Sequence, residues 1–429
     1  MEQNSFDLAL EQAHNLKQAG NWSAAAEIYQ TLYASDIGKS NPRVIFSLLY
    51  CLKKLENYAL AVEIGLPACA LEGIWDSIPQ TTAWCIYYQY FRSCASLPPD
   101  QAVPWLEKIR QIHPLRSGLH PLPLSVFSYL SQATGLNPTL VIQICHLLDP
   151  ALLDSTPQPG SKPGSFYPSA LEKYVNHLSK ALFANEQFQD CINLCQQTLD
   201  NCAALSTNQE IWLKRRIALC LAKLGNYPEA LAIYRQLVLR KPEWFILYET
   251  ALAAYRIQDY VLALQMAVKA ATAVGEVDVK IHLWELLKSL MAQNRKPEQA
   301  VSLLKLCAAI RYQRHWHLGQ DLMAELSSYN IVPDSLPPFK AIYSQCRPWI
   351  QDLLFDPAQA LTGWIDKVFP HGKAGFIKAG PNSYYFQAAN CSFPPAELRP
   401  GLKVSFHAQP SFDPKKQQDS LAAVNIKKQ

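Results

Sequence analysis

Residues Ile211 to Pro242 read IWLKRRIALCLAKLGNYPEALAIYRQLVLRKP, the stretch from which the rest of the chain can be interpreted. Ile211, Trp212, Leu213, Ile217, Ala218 and Leu221 recur at helical spacing, and a Gly225-Asn226-Tyr227-Pro228-Glu229-Ala230 turn follows. Beyond it, Leu231, Ile233, Tyr234, Leu237 and Val238 recur at the same spacing, and Pro242 closes the segment. Apolar periodicity on both sides of a tight turn predicts two amphipathic helices folded as a hairpin. Gly225 suits a left-handed helix end, and Pro228 suits the first turn of a helix, where its missing N–H has no intrahelical partner to lose. Small Ala230 allows close helix approach, while Tyr227 and Tyr234 are sized to fill the gap between hairpins. One such hairpin cannot bury its apolar face alone, so neighbours are required.

Those neighbours are visible. Asp259-Tyr260 with Ala263, Gly20-Asn21-Trp22 with Ala25 and Tyr29, and Asn57-Tyr58 with Ala61 repeat the turn. Weaker copies centre on Ala102 (closed by Pro114), Val141, Cys191 and Ala300. The small-residue position therefore falls at 25, 61, 102, 141, 191, 230, 263 and 300. The chain resembles the tetratricopeptide repeat family, whose Gly, Tyr, Ala, aromatic and terminal Pro pattern is matched by Gly225, Tyr227, Ala230, Tyr234 and Pro242. The resemblance implies a mainly α fold, an α-solenoid of about eight helical hairpins with a groove for a protein partner.

Forty-nine per cent apolar and 17% charged residues is an ordinary globular composition, and no window approaches the ~18 unbroken apolar residues of a membrane span. The opening Met1-Glu2-Gln3-Asn4-Ser5 lacks the features of a secretory signal, so a cytoplasmic location is expected. Cys191, Cys195, Cys220 and Cys307 sit at apolar positions of helical patterns and read as buried free thiols; no Cys-x-x-Cys pair or matched ligand spacing suggests a metal. Charge is unevenly spread. Residues 361–429 hold nine Lys or Arg against four acids, whereas the remainder holds 30 against 31, so the excess positive charge lies in the last sixth of the chain. That points to a separate module with an anionic partner.

Residues 1–154 read as N-terminal repeats, degenerate from about 73, where prolines cut the helices short. Trp84, Tyr87, Tyr88, Tyr90 and Phe91 are expected to pack a buried helix, although such rings can also line a pocket. Residues 155–168 (STPQPGSKPGSFYP) lack any apolar period and read as a flexible linker or loop. Helical repeats resume over 169–357, with Phe339 to Phe355 as a capping helix. Within them, Arg311-Tyr312-Gln313-Arg314-His315-Trp316-His317 fits either nucleic-acid contact or helix packing with solvated charges. Leu322–Leu326 followed by Asn330–Asp334 resembles the end of a pentatricopeptide repeat, a family that reads RNA one base per hairpin, but a single unit shows it.

From 361 to 429 the period becomes alternating, as in strands. Strands are expected at Gly363–Phe369, Ala374–Lys378, Ser383–Gln387, Leu402–Phe406 and Ala422–Ile426, enough for a small five-stranded β-barrel. The segments Gly372-Lys373-Ala374-Gly375-Phe376-Ile377, Ser383–Gln387, Leu398–Phe406 and Ala422-Ala423-Val424 resemble, in order and spacing, a cold-shock domain of the OB-fold type. The resemblance implies binding of single-stranded RNA or DNA. Strand alternation puts Ala374, Phe376 and Lys378 on one face, and Tyr385 and Gln387 on one face of the next strand, so Phe376 and Tyr385 would be outward rings on which bases stack. Phe369 can add a third ring; Lys367, Lys373, Lys378 and Lys403 supply phosphate attraction. Where the family has an exposed Trp, a further aromatic and a His, this chain has Lys367, Ala374 and Gln387, which predicts weak, salt-sensitive binding. Rings that pointed inward would leave a basic barrel without a stacking surface.

No Gly-rich phosphate loop, Gly-x-Ser-x-Gly or His-Glu-x-x-His occurs, so no catalytic residues, metal or cofactor are expected. Two readings follow: a non-enzymatic adaptor holding a protein partner in its repeats and single-stranded nucleic acid on its barrel, or a purely protein–protein scaffold in which the barrel is an interaction or capping module.

Overall fold

The computed structural model describes residues 3–92, 98–112, 121–132, 136–353, 360–413 and 418–429. The chain is mainly α, with nineteen α-helices among the described residues. Its contacts divide it into two units, residues 1–220 and 221–429. The first contains α1 (Gln3–Gln18), α2 (Trp22–Tyr33), short α3 (Asp36–Ser40), α4 (Pro42–Lys54), α5 (Tyr58–Ala68) and α6 (Ser77–Ile86). It continues through α7 (Pro99–Ile112), α8 (Pro121–Gln132), α9 (Pro138–His146), α10 (Ala170–Ala184), α11 (Phe188–Asn201) and most of α12 (Gln209–Lys223). The second unit carries α13 (Tyr227–Arg240), α14 (Trp244–Arg256), α15 (Tyr260–Thr272), α16 (Ile281–Gln293), α17 (Pro297–Gln313), α18 (Gln320–Ser328) and α19 (Phe339–Asp352). Within each unit the helices pack chiefly on sequence neighbours, as α1 on α2, α4 on α5, α14 on α15 and α16 on α17, a tetratricopeptide-like arrangement.

The repeat is most regular at its corners. The eight small-residue positions all fall near the start of a helix, in α2, α5, α7, α9, α11, α13, α15 and α17. Seven of them are buried, and Ala300 is half-buried. Five residues before six of these positions the backbone is left-handed: Gly20, Glu56, Glu186, Gly225, Gln258 and Arg295 have φ between +54° and +84°. At each, the next residue's N–H reaches back five residues, as Asn57 to Leu52 O, Asn226 to Leu221 O and Asp259 to Ala254 O, each 2.9 Å. The corner residue's own N–H reaches back three residues, as Gly225 to Ala222 O. This is the Schellman closure, which satisfies two carbonyls at each helix end. Only two of the six corners are glycine. The other four bear side chains in strained backbone, so composition alone underreports the repeat.

The π-helical turn Tyr87–Phe91 continues α6, burying Tyr87 and Phe91. Tyr88 stacks on Tyr58 at 5.1 Å and Tyr90 on Trp105 at 4.1 Å, so the aromatic run packs helices. The segment 155–168 holds a two-rung ladder between β1 (Gln158–Pro159) and β2 (Phe166–Tyr167). Phe166 N also donates to Thr207 Oγ1 at 2.9 Å. The run Arg311–His317 is a helix end. His315 is its left-handed corner (φ +56°), Arg311 pairs with Glu285 at 2.7 Å, and Arg314 pairs with Asp278 at 2.6 Å and lies over Phe339. Two of its cations are thus engaged in joining helices. The second pentatricopeptide-like element, Asn330–Asp334, is another such corner, with Ile331 N bonded to Leu326 O at 3.0 Å. Pro114 and the 354–355 end of the expected capping helix lie outside the described residues.

Cys191, Cys195, Cys220 and Cys307 are all buried free thiols. Burial pushes Cys85 and Cys145 up to about 12, as expected for thiols acting as small apolar groups. No helix among the described residues is long and apolar enough to cross a membrane.

The last part of the second unit is a closed barrel of β3 (Leu361–Val368), β4 (Ala374–Ala379), β5 (Asn382–Gln387), β6 (Lys403–Asp413) and β7 (Gln418–Lys428), in the order β3-β4-β5-β7-β6. All pairs are antiparallel except β5–β7. The last two strands are longer than alternation indicated, and pair from Val404↔Lys428 out to Asp413↔Gln418. Inward residues Ile365, Ile377, Tyr384, Phe386, Val404, Phe406, Ala423 and Ile426 make the core. Gly375 is required where β3 crosses β4: a Cβ there would stand 2.1 Å from Lys367 O and 2.7 Å from the Phe386 ring. Arg347 and Gln351 of α19 both donate to Ala389 O, at 2.9 and 3.0 Å, and Asp352 pairs with Lys427 at 2.9 Å, fixing the barrel to the last helix.

Candidate nucleic-acid interface

Alternation along β4 and β5 decides which rings face out. Ile377 points into the core with Tyr384 and Phe386, so Phe376 and Tyr385, one residue away on their strands, point outward. The two are register partners, their half-buried rings 5.9 Å apart at 69°. Phe369, at the end of β3, meets Phe376 edge-on at 5.7 Å and 87°, and His371 continues the row 5.7 Å beyond. The β3–β4 turn sets this geometry: Phe369 N bonds Ala374 O at 2.9 Å, Gly372 N bonds Phe369 O at 2.8 Å, and Lys373 N bonds His371 Nδ1 at 3.0 Å. Edge-to-face contact suits the ring quadrupoles and holds the row in place before any ligand arrives.

Lys367, Lys373 and Lys378 are exposed around these rings, and Lys403 is exposed on β6, opposite Trp364. Lys367 faces Phe376 across β3–β4, beside a bulge between Ile365 and Lys367 that also exposes Asp366, the single carboxylate of β3–β5. Gln387 is exposed opposite Ala374. Ala374, on the same face as Phe376, is 4% exposed, so its neighbours cover it and it adds nothing to the open surface. Every residue singled out in the sequence as a nucleotide contact thus lies on the barrel's exterior, with the rings in one row.

Two residues of this surface were not singled out. His371 sits in the turn, where alternation gives no direction. Trp364 is 45% exposed on β3, and its position next to inward Ile365 was the available signal.

A second feature lies in the first unit. A cavity of about 450 Å³ is lined by α8, α10 and α12, with Lys173, His177, Lys180, Gln209, Trp212 and Arg216 in its wall and no carboxylate. His177 lies parallel to Phe127 at 5.9 Å, and its Nε2 is 3.3 Å from Ser131 Oγ. Burial, and then the Lys180 charge, hold its pKa below the usual imidazole value. Asn176 and Gln209 join the walls by reciprocal amide bonds at 3.0 and 3.3 Å. Among the described residues no group of three His, Cys, Asp or Glu side chains is placed to hold a metal ion.

Fold and site define a helical-repeat protein that carries a small closed barrel with an outward ring row. In comparison with known proteins, residues 211–346, less than half of the chain, match a family described as a domain of unknown function, DUF7017. No curated protein matches the chain. Similar solved structures include the TPR2AB-domain:pHSP90-complex of yeast Sti1, at 12% identity and TM-score 0.29, covering 70% of this chain and 96% of that one. Another is a tetratricopeptide repeat protein from Parabacteroides merdae, at 13% identity and TM-score 0.25, covering 76% of this chain and 98% of that one.

Proposed function

We propose that the chain is a non-enzymatic adaptor whose helical repeats hold a protein partner and whose barrel binds single-stranded RNA or DNA. The observation that carries the nucleic-acid half is the row Phe369, Phe376 and Tyr385, outside the core and bordered by exposed Lys367, Lys373 and Lys378, with exposed Lys403 further along on β6. It lies on the second and third strands of a five-stranded barrel and on the loop joining the first two, the surface with which OB-type barrels take oligonucleotides. Bases stack on such rings without regard to sequence, while the lysines attract phosphate, so binding is weak and falls with salt. The cavity walled by Lys173, Lys180 and Arg216, free of carboxylates, supports an acidic segment in the protein partner.

Fluorescence anisotropy of the full chain with a labelled single-stranded dodecamer at low salt tests the barrel. Binding is expected, and Phe376→Ala with Tyr385→Ala should remove it without unfolding the barrel, which continued protease resistance of residues 361–429 would show. Absence of binding by the unaltered chain would favour the scaffold reading. That reading has an observation of its own, the attachment of the barrel to α19 through Ala389 O and Lys427.

A further inference from the structure

We infer that Trp364 is a second stacking point on the barrel, and that the bound single strand crosses β5, β4 and β3 in turn from the Tyr385–Phe376 pair to Trp364. The inference rests on the nucleic-acid reading and extends it to the path of the ligand. Exposure of one large apolar side chain is common and decides nothing by itself. The register does. Trp364 faces Lys378 across β3–β4 and Lys403 across β3–β6, so an exposed indole lies between two exposed ammonium groups in a line across the strands. Lys378 is two residues from Phe376 on β4, on the same outer face, and Phe376 faces Tyr385. The two rows, Lys403–Trp364–Lys378 and Lys367–Phe376–Tyr385, therefore share one surface.

Strand spacing and rise put the Trp364 Cα about 8 Å from Phe376 and about 12 Å from Tyr385. A strand stacked on Tyr385 and Phe376 thus reaches Trp364 with its following bases, its phosphates passing Lys378 and ending at Lys403. Indole offers the largest stacking face of any side chain, and a base over it covers apolar area now open to water. The cold-shock pattern has its strand-one ring at the position of Lys367; here the ring stands three residues earlier, which moves that end of the track towards β6.

The test is anisotropy of the full chain with labelled oligothymidylates of two and eight nucleotides at low salt. Trp364→Ala should weaken the eight-nucleotide ligand about tenfold, the loss of one stacked base, and leave the dinucleotide unchanged. Trp364→Phe, which keeps a ring, should restore most of the loss. The inference is overturned if Trp364→Ala binds the longer ligand as the unaltered chain does while Phe376→Ala with Tyr385→Ala does not. An equal loss at both lengths also overturns it, since Trp364 would then serve the same base as Phe376. If the unaltered chain binds neither ligand, the reading of the barrel fails together with the inference.

Discussion

Glu56, Glu186, Gln258 and Arg295 occupy left-handed corners where a side chain costs energy that glycine avoids. Each is expected to gain about 0.5–1 kcal/mol on replacement by Gly, offset in part by added chain entropy in the unfolded state, and Gly225→Ala to lose a similar amount. Urea midpoints measure both, and a loss on Gln258→Gly would contradict the assignment. Lys280 is a different case. It is 2% exposed, and its Nζ donates to Ala270, Ala271 and Ala273 O at 3.1, 3.4 and 2.6 Å, capping α15. The helix C-terminus attracts a cation, yet burial pushes this ammonium down to about 8. With the folded value below the unfolded 10.5, the unfolded chain holds more protons between the two. The resulting contribution to stability is fully present above pH 10.5 and is lost as pH falls through about 8. Wild type should therefore gain urea midpoint relative to Lys280→Met as pH is raised across that window, and a flat difference would show that the three carbonyls hold the charge instead. Neither feature is legible in sequence: the corners lack glycine, and Lys280 looks like any loop cation.

At the scale of the element, α10 opens with a capping box in which Ser169 Oγ accepts from Glu172 N, and Glu172 Oε2 accepts from Ser169 N at 2.7 Å. Glu172 Oε1 also accepts from Ser206 N at 2.7 Å, so one buried carboxylate ties the helix start to the loop before α12. Ser169→Ala removes one capping bond, about 1 kcal/mol. Glu172→Ala leaves two N–H groups without partners and should cost more, about 2–4 kcal/mol; urea unfolding of the two variants orders them. In the barrel, Gly375→Val forces its side chain into Lys367 O and Phe386, and is expected to abolish protease resistance of residues 361–429 while the helical signal persists. The Ser169-x-x-Glu172 box and the strand alternation are visible in sequence; the Ser206 contact is 34 residues away from Glu172 and is not.

For the whole molecule, charge distribution predicts how binding responds to solution conditions. Four lysine–phosphate contacts give a slope of log affinity against log salt of about −3 for a single strand, and Lys378→Gln with Lys403→Gln should bring it to about −1.5. A slope near zero would mean that the rings act without the cations. A labelled peptide rich in Glu should bind the full chain, and Lys173→Glu with Lys180→Glu should abolish that binding without altering oligonucleotide binding. Loss of both would show that one surface serves both ligands.

The sequence by itself determined the repeat of helical hairpins and the change to alternating strands at 361, because apolar period and turn chemistry are local properties that survive without coordinates. It also selected Phe376 and Tyr385, since a two-residue period needs only one known inward neighbour to orient the rest. Tertiary structure alone decided that Ala374 is covered, that Phe369 and His371 complete the row, and that Trp364 lies between Lys378 and Lys403. It alone brought Lys173, Lys180 and Arg216 around one cavity. These depend on strand register, a bulge and helix packing, in which residues far apart in the chain are set side by side by a core they do not belong to.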